Sequence, residues 1–290
     1  MAVMTTFNDG SPLISAAELG EALASERPPV LLDVRYQLVG AAPGGPTAAE
    51  EYRAGHLPGA HFVELDRDLA APPGAPGHGG RHPLPDPEEF GAAMRGFGVS
   101  AGRGREVPVQ FDEVGTGQVP GPRVHRLGLA AVALPRPGVQ QQAAARPVRG
   151  AVRVDFEPVP GQLPTVDADG AADWARSGLL LDARSGERYR GETEPVDPRA
   201  GHIPGAVSAP TSENVRPDGR FRPVAELLAR FRVFGAGQRR TAVYCGSGVT
   251  AAHQILAMEV AGLDATLYPG SWSEWSSDAS RPVAVTGQPG

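Results

Sequence analysis

The sequence predicts an α/β protein of two tandem domains, each a mainly parallel sheet flanked by helices. Two observations carry this reading. First, the chain repeats itself. Leu31-Leu32-Asp33-Val34-Arg35 returns as Leu180-Leu181-Asp182-Ala183-Arg184, and Arg53-Ala54-Gly55-His56-Leu57-Pro58-Gly59-Ala60 returns as Arg199-Ala200-Gly201-His202-Ile203-Pro204-Gly205-Ala206. A weaker third match sets Val109-Gln110-Phe111-Asp112 against Ala242-Val243-Tyr244-Cys245. Second, short wholly apolar runs alternate with segments of helical periodicity, as strands buried on both faces of a parallel sheet do. The 290 residues suffice for two domains, and a hydrophobic content of 41% supplies their cores.

Taken in order, Ser15-Ala16-Ala17-Glu18-Leu19 opens a helix with Ser15 as its N-cap, and residues 30–34 form a strand. Residues 157–164, rich in Pro and Gly, form the linker, giving domains 1–156 and 157–290. The second copy starts in the same way, with a helix around Asp169-Gly170-Ala171-Ala172-Asp173-Trp174 and a strand over 179–183. Leu227, Leu228 and Phe231 stand at helical spacing within 224–234; a strand follows over 241–244, then a helix over 251–262 that Gly262 ends. One stretch breaks the pattern and makes the second half of the first domain atypical. Residues 115–153 contain six arginines, five prolines and no acidic or aromatic residue. Two readings fit: a basic, disordered insert, or a reading-frame slip restored before Asp155. The simultaneous change in acidic, aromatic and periodic content favours the slip.

A net charge of −6 argues against general nucleic-acid binding, and no apolar run reaches the length of a membrane span. One cysteine excludes an internal disulfide framework and a cysteine-cluster metal site. The first ten residues lack the basic and apolar regions of a signal peptide, so the expected compartment is the cytoplasm. The chain has no lysine; its 27 basic residues are all arginine, which reads as a GC-rich coding sequence and not as selection for arginine chemistry.

Cys245 ends a strand and is followed by Gly246-Ser247-Gly248-Val249-Thr250 and a helix. A lone cysteine is commonly a small buried hydrophobe. Its place here reverses that expectation: ligands bind at the carboxyl ends of strands in open α/β sheets. Two glycines let the loop curl its N–H groups inward above a helix N-terminus, which favours an anion or a thiolate. A cysteine-dependent phosphatase needs an arginine six residues after the cysteine to grip phosphate; position 251 is Ala251.

These residues, together with both Gly-His-(Leu/Ile)-Pro-Gly-Ala motifs and Tyr268-Pro269-Gly270-Ser271-Trp272-Ser273-Glu274-Trp275, resemble the tandem-domain sulfurtransferases of the rhodanese superfamily. The resemblance covers residues 12–112 and 163–285. It implies two rhodanese-like domains, with catalysis in the second and Asp112 standing where the first lacks the cysteine. A Cys-Gly-Ser-Gly-Val-Thr loop is typical of members that use 3-mercaptopyruvate, whereas thiosulfate users more often carry Arg and Lys there. A dianionic donor needs cations in the loop, and this loop has none.

The resemblance further implies that Cys245 takes sulfur as a persulfide and passes it to a small thiol, a thioredoxin-like protein or cyanide. Gly246, Gly248, Val249 and Thr250 would line the loop, Ser247 would assist proton movement, and Arg188 would hold the donor carboxylate, with Arg199 as a second clamp. His56 of the first domain would join a relay with Ser247. Arg184 reads equally as a ligand or as the ion-pair partner of Asp182 or Glu187, His202 reads as structural, and Trp272 and Trp275 read as core. No metal or organic cofactor, nucleic acid or membrane is implied. The alternatives are thiosulfate as donor by the same mechanism, or a defective, non-catalytic protein whose first domain cannot complete its sheet.

Overall fold

The computed structural model describes residues 12–26, 28–36, 45–100, 109–111, 131–133, 155–161, 163–285 and 287. The first half contains α1 (Ala16–Leu23), β1 (Leu32–Arg35), α2 (Ala48–Ala54), β2 (His61–Glu64), a π-turn (Leu65–Leu69), α3 (Pro87–Gly96), β3 (Val109–Phe111) and β4 (Ala131–Ala133). The second contains α4 (Ala168–Ser177), β5 (Leu179–Asp182), α5 (Gly186–Arg190), β6 (Val207–Ser208), a 3-10 turn (Thr211–Asn214), α6 (Val224–Val233), β7 (Thr241–Tyr244), α7 (Val249–Val260), β8 (Thr266–Leu267) and α8 (Ser271–Ser277). Two four-stranded sheets result, in the orders β2-β1-β3-β4 and β6-β5-β7-β8, with every pairing between these strands parallel. The duplicated sequence has become a duplicated topology.

Side-chain alternation explains why β5 and β7 carry apolar residues on both faces. Leu179, Leu181 and Val243 enter one core with Leu227 and Phe231 of α6 and Met258 of α7. Leu180, Ala242 and Tyr244 enter the other, with Ala171 of α4 and Trp272 and Trp275 of α8. In the first sheet, Leu32 and Val34 pack with Phe90 and Met94 of α3, while Leu31 faces Leu19 of α1. Ser15 caps α1 in a capping box with Glu18, as its spacing predicts. The chain leaves the first core at Phe156, which packs near Phe90, and joins the second sheet where Pro164 accepts from the Leu267 amide.

Two expectations change. The sequence of 115–153 shows no clear element, yet β4 lies within it and pairs with β3. Its apolar run is so short that the surrounding Arg and Pro conceal it; the rest of the stretch lies outside the described residues. Asp112 also lies outside them. The backbone register sets Val109 opposite Leu32, as it sets Val243 opposite Leu181, so the strand position equivalent to Cys245 is one residue before Asp112.

Each repeat builds the same buried knot. Asp33 receives Arg35 through Nε and Nη2 at 2.8 and 2.9 Å, and Arg35 also donates to the Gly55 carbonyl. Asp182 receives Arg184, which donates to the Gly201 carbonyl at 2.6 Å and to Glu194. Arg184 is therefore an ion-pair partner of Asp182, lying over the Trp272 ring at 4.6 Å. The repeated histidines complete the knots: His56 stacks on Tyr52 and His202 on Tyr189, each with Nδ1 at the tyrosine's carbonyl.

Candidate active site

Cys245 sits at the end of β7, where the strand must give way to α7. Gly248 makes that turn at φ +90°, and a Cβ there would approach the Pro269 carbonyl to 2.8 Å. The Gly248 amide donates to Cys245 Sγ at 3.1 Å, so the loop does direct a backbone N–H at the sulfur. The Cys245 amide is used otherwise: it donates to Ser271 Oγ at 3.1 Å. Ser271 holds φ 54°, a left-handed conformation that costs a non-glycine residue about 1–2 kcal/mol. Amides of Trp272 and Ser273 take the carbonyls of Cys245 and Gly246, so α8 holds the loop from beneath. The helix of the loop starts at Val249, two residues earlier than its periodicity indicates, which brings Val249 and Thr250 into its first turn. Cys245 is buried, only 2% exposed, and Ser247 beside it is buried too.

The histidine that meets Ser247 is His82. Its Nδ1 lies 2.8 Å from Ser247 Oγ, and its Nε2 lies 3.1 Å from Asp66 on the π-turn and 3.3 Å from the Tyr36 hydroxyl. Burial pulls His82 below the ordinary histidine range, against the opposing pull of Asp66. A neutral ring then donates Nε2–H to Asp66 and offers Nδ1 to the Ser247 hydroxyl. Tyr36 is pushed up to about 12, first by burial, then by Asp66, with the Cys245 charge adding to it. His56 is corrected accordingly: it is exposed and occupied by Tyr52, the same work that His202 does in the second repeat.

Arg188 lies beside the loop, with Nη1 3.3 Å from the point a Gly246 Cβ would occupy. Glu194 takes its Nη2 at 2.5 Å and Asp197 takes the same nitrogen at 3.0 Å. Arg199 is not a second clamp. It donates to the carbonyls of Trp275, Ser276, Asp278 and Arg281, gathering the end of α8. The second cation beside the loop is Arg81, whose Nη2 lies 3.2 Å from the same Gly246 point and whose Nη1 is paired with Asp197. Trp272 and Trp275 are fully packed, their indole N–H groups on the Arg199 and Pro282 carbonyls.

Arg81 and His82 arrive on a strap from the first domain. Amides of Gly77, Gly79 and Arg81 donate to Ser277 Oγ, Glu274 Oε1 and Ser273 Oγ along α8. Gly80 passes so close that a Cβ would stand 2.4 Å from the Gly270 carbonyl. Sequence reading missed both residues. The available signal was Gly79-Gly80-Arg81-His82: a glycine pair that permits close approach, followed directly by a cation and an imidazole. Among the described residues, no group of three or more His, Cys, Asp or Glu side chains is arranged to hold a metal ion.

A profile of the Rhodanese-like domain matches residues 167–278. The chain is also 39% identical, over 94% of its length and 98% of the relative's, to a probable 3-mercaptopyruvate sulfurtransferase of Pseudomonas aeruginosa. It belongs to the rhodanese family and is a sulfurtransferase enzyme. A putative thiosulfate sulfurtransferase of Mycobacterium tuberculosis, SseB, is likewise 39% identical, over 94% of this chain and 97% of the relative. The 3-mercaptopyruvate sulfurtransferase SseA of Escherichia coli shares the fold, with a TM-score of 0.63 at 24% identity over 91% of this chain and 99% of that one.

Proposed function

We propose that this enzyme takes sulfur from 3-mercaptopyruvate through a Cys245 persulfide. The thiolate attacks the donor sulfur, and the bond from sulfur to C3 breaks with its electrons passing into the enolate of pyruvate. The proton that the donor thiol brought ends on C3, so Cys–S⁻ and the donor become Cys–S–S⁻ and pyruvate with no net proton consumed. The Asp66–His82–Ser247 chain carries that proton: Ser247 and neutral His82 accept it, then return it to the enolate. The observation that carries this reading is the 2.8 Å contact from His82 to Ser247, two residues from the nucleophile. Thiosulfate needs no such relay, because sulfite leaves with its electron pair and takes up no proton.

Thiosulfate is the second reading. The pair Arg81 and Arg188 sets two cations beside a loop that has none of its own, and the M. tuberculosis relative carries a thiosulfate name. Ser247→Ala separates the two donors. It should lower kcat/KM for 3-mercaptopyruvate by about 10²–10³, the usual worth of a positioned acid–base group, and that for thiosulfate by less than about tenfold. Equal losses would overturn the relay, and a higher wild-type kcat/KM for thiosulfate would decide for the second reading.

The buried Sγ restricts the acceptor to a small thiol or to a thiol that protrudes, as on a thioredoxin-like protein. A cytoplasmic site of action fits a nucleophile that must stay reduced. No helix among the described residues is long and apolar enough to cross a membrane.

A further inference from the structure

The two arginines beside Gly246 are not equivalent. An arginine grips a carboxylate best with the edge formed by Nε and Nη2, where two N–H groups run parallel. This chain uses that edge repeatedly: Arg35 on Asp33, Arg184 on Asp182, Arg190 on Glu192. In Arg188 the edge is already taken, with Nε and Nη2 both on Glu194; Nη1 is its nearest atom to the Gly246 point at 3.3 Å, and the engaged Nη2 lies behind it at 3.7 Å. Arg81 is the reverse. Its Nη1 is paired with Asp197, its Nη2 stands at Gly246, and its Nε is buried with no acceptor among the described residues. A buried N–H without a partner is costly, and a carboxylate arriving at this edge would satisfy it.

We propose that Arg81, supplied by the first domain, is the main binding residue for the donor's carboxylate, with Arg188 a single-donor secondary contact and Asp197 a positioning residue for both. This inference rests on 3-mercaptopyruvate as the donor. It makes the anion site a property of the domain cleft: Cys245 and Arg188 come from one side, and Arg81 and His82 from the other. It also answers how an uncharged loop serves a charged donor, since the charge is met across the cleft.

The test compares wild type, Arg81→Lys, Arg81→Met and Arg188→Met with two donors. One is 3-mercaptopyruvate; the other is mercaptoacetone, which keeps the thiol and ketone and replaces the carboxylate with methyl. Arg81→Lys keeps the charge against Asp197 but loses the paired edge, so an unchanged melting temperature shows that its effect is not unfolding. Both Arg81 variants should raise KM for 3-mercaptopyruvate on the order of 30-fold, the worth of a bidentate charged contact, with a much smaller change in kcat. With mercaptoacetone the rise should be at least about tenfold smaller, because the contact has no partner there. Arg188→Met should raise KM less than Arg81→Met does. Equal KM increases for both donors would show that Arg81 only holds the strap, and an unchanged KM or a larger effect of Arg188→Met would equally overturn the proposal. If wild type uses thiosulfate and not 3-mercaptopyruvate, the donor reading fails by itself. The clamp is then judged on thiosulfate: a raised KM in Arg81→Lys supports it, and an unchanged one overturns it.

Discussion

His82 must be neutral to accept a proton from Ser247, and its surroundings make it so. Burial penalises the imidazolium, Arg81 adds to that penalty, and Asp66 opposes both without overcoming them. Lowering the pKa of a group needed in its basic form moves the acid limb of activity down. With 3-mercaptopyruvate, the acid limb of kcat/KM should therefore lie below the ordinary histidine range, and Asp66→Asn should displace it further down by removing the one opposing charge. A limb at or above the ordinary histidine value, in steady-state rates across pH 5–8, would contradict this. The residues of the loop were legible because they are contiguous: a cysteine, two glycines and a serine on a strand-to-helix turn define their own chemistry. The resemblance implies a first-domain histidine at Ser247, and His56, conspicuous in the repeated motif, is the wrong one for it. A histidine present in both repeats, when only one repeat has the cysteine, is better explained by work both repeats need, and the stacked pairs on Tyr52 and Tyr189 are that work. Arg199 misled for a related reason, since its guanidinium serves backbone carbonyls that a linear reading cannot see.

At the scale of elements, the site depends on a strap with no regular secondary structure. Residues 77–82 lie along α8 by alternate backbone amides, and Gly80 allows the approach because its φ of +71° and lack of a side chain fit under the Gly270 carbonyl. Gly80→Ala would push Cβ against that carbonyl and against Ser273 Oγ, displacing Arg81 and His82 together. Transfer from 3-mercaptopyruvate should fall about 10²-fold, with KM and kcat both affected, while Cys245 keeps its reactivity toward a small alkylating agent. Wild-type kinetics in that variant would show that the strap does not position the site. The strands at 179–182 and 241–244 are legible to within a residue, because burial on two faces leaves a strong signature; the two- to four-residue strands β2, β4, β6 and β8 and the helices α2, α3, α5 and α8 are not, because runs that short carry no clear period. Nor is the strap: its Gly and Pro residues read as a plain loop, and its meaning lies in an element almost two hundred residues away.

At the scale of the molecule, duplication gave two sheets of one topology, after which the copies took different parts. The second holds Cys245, and the first reaches over with the side chains of Asp66, His82 and Arg81. Neither copy contains the whole site, so undocking the domains should abolish transfer even where both remain folded. Thermal melting with parallel assays should show activity lost in the first transition observed. Activity that outlasts a first transition would mean the first domain is dispensable, which is also the test of whether its atypical second half matters. The strongest check is intact mass after mixing with 3-mercaptopyruvate in the absence of an acceptor. Wild type should gain one sulfur atom, release it on adding a small thiol, and lose the gain entirely on Cys245→Ser. A wild-type mass that does not change, or an equal gain in Cys245→Ser, would contradict sulfur transfer through this loop.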